Sequence, residues 1–149
     1  MKKLLYLSAI VLMISCGDNS SDRTDGFTKG DQAPEDSLFD EVMHGHDTAM
    51  AKMGKLGRYR KEVESKLDSL AKVGGAAKAS AESALKQLGA ELKNAEDGMN
   101  KWMEDFEIDS AQDNIEKRLE YLKSEKFKVD EVKDNIFKAL NRADSLLSK

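Results

Sequence analysis

Apolar side chains recur at alternating spacings of three and four residues over most of the chain after residue 34, and this feature limits the possible folds most strongly. The alternation places side chains on one face of an α-helix, whereas a half-buried strand needs a period of two. The chain has one proline, so long helices are not interrupted. The sequence therefore predicts an all-α fold made of long amphipathic helices.

The pattern divides into three helical segments. Helix one is expected over residues 35–72, with Pro34 at a first helical position and residues 73–75, Val-Gly-Gly, as its stop. Helix two is expected over residues 76–106. Helix three follows the pair Asp109 and Gln112, which resembles a capping box, and reaches almost to the C-terminus.

The expected core follows the stripe through all three helices. Helix one supplies Phe39, Val42, His46, Ala49, Met53, Leu56, Arg60, Val63, Leu67 and Leu70. Helix two supplies Ala81, Leu85, Leu88, Leu92, Ala95, Met99, Trp102 and Phe106. Helix three supplies Ile115, Leu119, Leu122, Val129, Val132, Ile136, Leu140, Ala143 and Leu147.

Short connections make successive helices antiparallel, so residues 35–149 are expected to form one up-down-up antiparallel three-helix bundle with coiled-coil-like packing. The alternative is a looser hairpin that completes its core by dimerising. The stripe has faults, because His46 and Arg60 occupy core positions and Lys126 interrupts helix three. Three glycines also weaken helix one by about 1 kcal/mol each relative to alanine: Gly45, Gly54 and Gly57. Function is expected near such faults.

The first fifteen residues predict an export signal. Lys2 and Lys3 precede the apolar residues 4–14, a run too short to cross the roughly 30 Å hydrocarbon core of a membrane as a helix. The run is followed by Ser15 and Cys16, which resembles a lipobox. That resemblance implies removal of the signal peptide, residues 1–15, and lipid attachment to Cys16. An ordinary secretory leader and an uncleaved anchor are the alternatives.

Cys16 is the only cysteine of the chain, so no intramolecular disulfide is possible. A free thiol is a liability in an oxidising compartment, and acylation removes it. The following residues, to position 34, are polar apart from Phe27 and predict a flexible linker. The protein is therefore expected in the cell envelope, anchored by lipid, with the outer membrane as the expected location and the leaflet left open.

Charge and motifs narrow the classes of function. Without Lys2 and Lys3 the chain has 22 basic against 28 acidic residues, a net charge of −6, and the two signs interleave along the helices. This disfavours nucleic-acid binding, which needs clustered Lys and Arg. No nucleophile triad, phosphate loop or zinc spacing is present, so the expectation is a noncatalytic scaffold or protein-interaction module. Its partner is either an unknown protein or a second copy in a homodimer.

Antiparallel register places Trp102 level with His46, and the second connection is expected to bring Ile115 and Leu119 to the same level. The resulting layer contains Met43, His46, Met50, Met53, Met99, Trp102 and Met103. One interpretation is ordinary core, because methionine fills irregular gaps and packs on aromatic rings. The other is a ligand site, because thioethers and an imidazole suit Cu(I) and can also hold a haem iron. His44 lies about 200° around the helix from His46 and is not expected to contribute.

Residues 42–54, VMHGHDTAMAKMG, and 99–103, MNKWM, carry a family resemblance. Together with the lipobox and the helical remainder, they resemble small Bacteroidetes-type lipoproteins labelled "viral A-type inclusion protein". Ala51 departs from that pattern, which has proline at this position. The resemblance implies an envelope lipoprotein with a helical fold and implies no particular activity. It marks four positions for testing: His46, Met50, Met53 and Trp102.

Overall fold

The structure is a computed structural model that describes residues 32–72 and 76–148. The predicted signal peptide, Cys16, most of the linker and the predicted stop at residues 73–75 lie outside the described residues. The described chain forms three α-helices and no strand. They are α1 (Pro34–Ala71), α2 (Ala76–Asp105) and α3 (Ile115–Leu147).

Each of the three helices packs against the other two, and one hydrophobic core runs between them. The helices contain 38, 30 and 33 residues, which corresponds to about 57, 45 and 50 Å at 1.5 Å per residue. The predicted three-helix bundle is confirmed. A single chain supplies all three helices of the core, so the hairpin that must dimerise to complete its core is not needed.

The start of α1 follows the prediction. Pro34 lies in the first turn, where its missing N–H is not required, and Glu35 and Asp36 follow it near the positive end of the helix dipole. Ala33 precedes the helix without a side-chain cap, and the backbone N–H of Ser37 bonds to its carbonyl oxygen. The helix therefore begins at a proline and without a side-chain cap.

The predicted capping box at the second connection is wrong. Asn114 caps α3, because its side-chain oxygen accepts a hydrogen bond of 3.0 Å from the backbone N–H of Lys117. Asp109 instead accepts a side-chain bond of 2.7 Å from Gln112 within the connection. The chain turns at Ala111, whose φ of 57° is in the left-handed region, so the connection continues beyond the position where the capping box would begin the helix.

Most of the predicted stripe lies in the core. The buried apolar residues that the spacing predicted are Val42, Ala49, Leu56, Val63, Leu85, Leu88, Leu92, Ala95, Met99, Trp102, Leu122, Val129, Ile136, Leu140, Ala143 and Leu147. Ala139 is also buried, although the stripe did not include it. The alternation of three and four therefore identifies the buried face of each helix.

Two predicted core positions are wrong, and the stagger of the helices explains both. Ala81 is exposed. The ion pair between Arg142 and Glu91 sets the level of α3 beside α2, so α3 ends before it reaches the first turns of α2. Ile115 is 49 % exposed because it begins α3 beyond the ends of its neighbours. Spacing identifies a face of a helix, but a third helix must be present to cover it.

The structure also shows where the polar residues of the predicted stripe lie. Glu125 is the polar residue that interrupts the apolar core on α3. It is only 3 % exposed, and its carboxylate accepts a hydrogen bond of 2.7 Å from Lys128. Lys126, the predicted interruption, lies at the edge and pairs with Asp130 at 2.7 Å. Arg60 is at the edge as well, where it pairs with Glu96 across α1 and α2. The polar side chains at these positions are paired instead of being left alone in the core.

Candidate functional site

The predicted register between α1 and α2 is confirmed at His46 and Trp102. Their rings lie 5.6 Å apart between centroids, with an angle of 35° between the planes. The prediction for α3 at this level is wrong, since Val129 is the residue that approaches Gly45, next to His46. Residues 115 and 119 lie nearer the end of the bundle, because α3 has already made several turns when it reaches this level.

The layer beside His46 is aromatic toward the end of the bundle. Trp102 stacks on Phe106 at 4.8 Å, and Phe106 lies 6.4 Å from Phe39 and 6.1 Å from Tyr121 between ring centroids. Aromatic pairs at such separations stabilise a core beyond their buried area. The sequence placed Phe39 and Phe106 in the stripe, but Tyr121 gave no signal because it lies beside the predicted core positions of α3.

The hydroxyl of Tyr121 ties the second connection to this aromatic layer. It accepts a hydrogen bond of 2.7 Å from the backbone N–H of Glu107, and burial raises the pKa of the Tyr121 hydroxyl. The guanidinium of Arg118 lies 5.8 Å from the ring centroid of Phe39 and donates a bond of 2.9 Å to the carbonyl oxygen of Ser110. These contacts close the end of the bundle from which α1 begins.

The methionines of the predicted layer differ in how deeply they are buried. Met99 is fully buried, and Met53 packs partly buried against the core. Met43 is half-buried. Met50 and Met103 are 37 % and 38 % exposed. The structure thus divides the sulfur-rich set between the core and the surface of the α1 and α2 seam.

His46 is oriented by the neighbouring carboxylate. Its Nδ1 lies 2.9 Å from Oδ1 of Asp47, and its side chain is 18 % exposed. When Nδ1 donates to this carboxylate, Nε2 is the nitrogen that retains a lone pair for a proton or a metal ion. His44 lies apart, as predicted, in a groove between α1 and α3 that Asp130 and Lys133 also line.

The indole nitrogen of Trp102 has no hydrogen-bond partner among the described residues, although Trp102 is only 5 % exposed. Among the described residues it is the one buried side-chain nitrogen or oxygen in this condition. An unpaired buried donor costs about 1–3 kcal/mol. The ring of Trp102 is held in this position by its contacts with Phe106 and His46.

Two grooves lie between pairs of helices on the surface of the described chain. The groove between α1 and α3 has a volume of about 590 Å³ and is lined by side chains of both signs, including Glu41 and Lys126. A second groove, of about 420 Å³ between α2 and α3, is lined by Glu91 and Arg142 among others. Both are open to solvent. Neither is lined by His46.

Two features of other protein classes are missing from the described residues. They contain no group of three or more His, Cys, Asp or Glu side chains arranged to hold a metal ion. In the same part of the chain, every helix is too polar or too short to traverse a bilayer.

In comparisons with protein-family models, curated proteins and solved structures, nothing matches this chain. The family resemblance of residues 42–54 and 99–103 therefore stays a prediction.

Proposed function

We propose that the chain is a noncatalytic lipoprotein of the cell envelope that acts as a scaffold or interaction module. In this proposal Cys16 carries the lipid, residues 17–34 form the linker, and the outer membrane holds the anchor. The bundle then offers its surfaces to a protein partner. The predicted export signal and the lone cysteine beside a small residue support the anchor.

The observation that carries the interaction role is the way the bundle distributes its side chains. Apolar residues fill the axis, and charged residues cover the outside, where some of them form ion pairs that join two helices. Lys55 and Asp144 lie 2.9 Å apart across α1 and α3, and Arg142 and Glu91 lie 2.5 Å apart across α2 and α3. A filled, rigid rod with open, charged grooves suits binding to another surface, whereas small-molecule chemistry favours a concave and mostly apolar site.

Photo-cross-linking in living cells tests the interaction role. A photoreactive amino acid is placed singly at exposed positions of two helices, Arg58 of α1 and Lys123 of α3, in the full chain. The proposal expects a discrete product of higher mass from at least one position. Its yield is expected to persist in His46→Leu, which leaves the outer surface intact. Absence of any product from both positions argues against an interaction role.

Copper binding is the alternative function, and one observation favours it. Asp47 engages Nδ1 of His46, so Nε2 is the nitrogen left to bind a metal ion. Two exposed methionines are near in the sequence: Met50 lies one helical turn after His46, and Met103 directly follows Trp102. Thioethers and imidazole are ligands suited to Cu(I). Haem is less well supported, because a porphyrin needs a cleft, and the two grooves described above are lined by residues other than His46.

A further inference from the structure

The charges of α1 are segregated along the helix, contrary to the interleaving predicted for every helix. From residue 34 to 48 the Asp and Glu side chains number five, with no Lys or Arg, whereas residues 49–61 contain five Lys and Arg with no Asp or Glu. The helix dipole favours acidic residues only within the first turn. It therefore does not explain Asp47, which lies in the fourth turn.

The same polarity extends to the whole bundle. The half that contains the start of α1, residues 34–53 and 97–134, has 17 acidic and 8 basic residues. The opposite half, residues 54–72, 76–96 and 135–148, has 7 acidic and 11 basic residues. One half carries a net charge of −9 and the other +4. Such a molecule repels a parallel copy and attracts an antiparallel one.

Contacts among the described residues do not account for two glycines on the exposed side of α1. A methyl group built on Gly54 or Gly57 meets nothing within 4 Å, whereas at Gly45 it lies 3.0 Å from Cγ1 of Val129. Gly45 thus lies where α1 packs closely on α3, and a methyl group there requires Val129 to shift. Gly54 and Gly57 each weaken the helix by about 1 kcal/mol, yet they leave a flat surface where the backbone of another helix can approach closely.

The α1 outer face is defined by the exposed or half-exposed residues Asp47, Met50, Ala51, Gly54, Gly57, Arg58 and Lys61. These residues follow one side of the helix over four turns. Asp47 is 74 % exposed, and only one of its oxygens is engaged, with His46. Arg58 and Lys61 take part in no ion pair among the described residues.

We infer that the α1 outer face binds a second copy of this chain in antiparallel orientation, about a two-fold axis that passes close to Gly54. Asp47 of each copy then lies opposite Lys61 of the other, and Ala51 lies opposite Gly57. Met50 packs beside the aliphatic part of the opposite Arg58. Two symmetric ion pairs flank a flat glycine contact, which is the self-complementary pattern of a two-fold interface. The inference rests on the proposed interaction role and names its partner.

Cysteine pairs introduced into the full chain, in the envelope of living cells, test the orientation. Chains carrying Asp47→Cys and Lys61→Cys, with tags of different length, are produced together and treated with a thiol oxidant. The inference expects disulfide-linked dimers of the mixed type. Lys61→Cys alone is expected to link poorly, because the two copies of residue 61 are about 21 Å apart along the axis. Gly54→Cys is expected to link to itself.

Two controls accompany these variants. The unaltered chain measures any contribution of Cys16, and Lys123→Cys measures random collision from an exposed site on α3. Equal self-linking of the variants at 47, 54 and 61 would indicate a parallel pair and overturn the inference. Linking of all variants no greater than that of Lys123→Cys would overturn it as well.

Charge reversal provides a readout that does not depend on cysteine geometry at the axis. Lys61→Glu is expected to weaken dimerisation about tenfold, because it replaces two attractive pairs with two repulsive ones. Asp47→Lys combined with Lys61→Glu is expected to restore it, and failure of the double reversal contradicts the register. If photo-cross-linking identifies a different protein while Gly54→Cys forms no homodimer, the interaction role stands and the second copy is the wrong partner.

Discussion

The imidazole of His46 and the indole of Trp102 lie 5.6 Å apart, one on α1 and the other on α2, and this contact records the antiparallel register of the first two helices. Trp102 continues the contact into Phe106 at 4.8 Å. The sole tryptophan therefore reports on both a polar and an aromatic neighbour. Its fluorescence is therefore a suitable probe for copper binding near His46.

Copper is expected to leave this layer unchanged if the protein acts through its outer surface. Anaerobic titration of the purified chain with Cu(I) is followed by Trp102 fluorescence, with His46→Ala and Met99→Leu as the comparison variants. We expect no saturable change that depends on His46. Saturable quenching by one equivalent that is abolished in His46→Ala would instead make the protein a copper carrier or sensor.

Two replacements of Trp102 distinguish the contribution of ring packing to stability from that of the unpaired indole nitrogen. Trp102→Ala is expected to destabilise the bundle by about 3–5 kcal/mol, because a large side chain leaves a cavity. Trp102→Phe keeps the stack on Phe106 and removes the unpaired donor, so a cost below about 1.5 kcal/mol is expected. Urea unfolding followed by circular dichroism measures both. Equal losses of stability in the two variants would show that the indole nitrogen forms a hydrogen bond that stabilises the fold.

Glycine substitutions in α1 are expected to act in opposite directions. Gly45→Ala places a methyl group against the buried Val129 and is expected to destabilise the bundle by about 1–3 kcal/mol. Gly54→Ala meets open space and is expected to stabilise the monomer by up to about 1 kcal/mol. Thermal unfolding at low protein concentration, where a dimer does not contribute, checks the pair. Destabilisation by Gly54→Ala under these conditions contradicts the described environment.

Acid is expected to remove the stabilisation that Asp144 provides. Hydrogen bonds from the Tyr59 hydroxyl and the Lys55 ammonium hold the pKa of Asp144 below its ordinary value of 3.8. The folded state therefore binds this proton less readily than the unfolded state, so the stabilisation is complete above about pH 5 and disappears as the pH falls through the folded pKa. Asp144→Asn is expected to lower the free energy of unfolding at pH 7, and its effect is expected to shrink as the pH falls below the ordinary pKa of this carboxyl group. A cost that stays constant over this range would assign the effect to packing.

The sequence predicted the fold well because spacing reports directly on which side of a helix is buried. Val42, Leu56 and Trp102 followed from this rule alone. The degree of burial could not be predicted in this way, because Met99 and Met103 lie in the same predicted layer and only Met99 is buried. Between Leu122 and Val129 a spacing of three or of four is possible, and the choice between Glu125 and Lys126 required the packed structure.

The stagger of the helices could not be predicted from spacing either. Ala81 and Ile115 satisfy the periodic pattern but project past a neighbouring helix, and the stagger that exposes them arises from contacts between helices. The contact of Gly45 with Val129 is of the same kind, because a glycine needed for close approach and a glycine facing solvent look alike in a sequence. Gly54 and Gly57 became informative only when the space around them was known.

The central claim, a lipid-anchored scaffold of the envelope, is tested most directly by metabolic labelling with a palmitate analogue, followed by membrane fractionation. The unaltered chain is predicted to carry the label and to remain with the membrane after a salt wash. Cys16→Ser is predicted to lose the label, and the uncleaved form is distinguished by its mass. An unlabelled chain recovered from the soluble fraction would contradict the account.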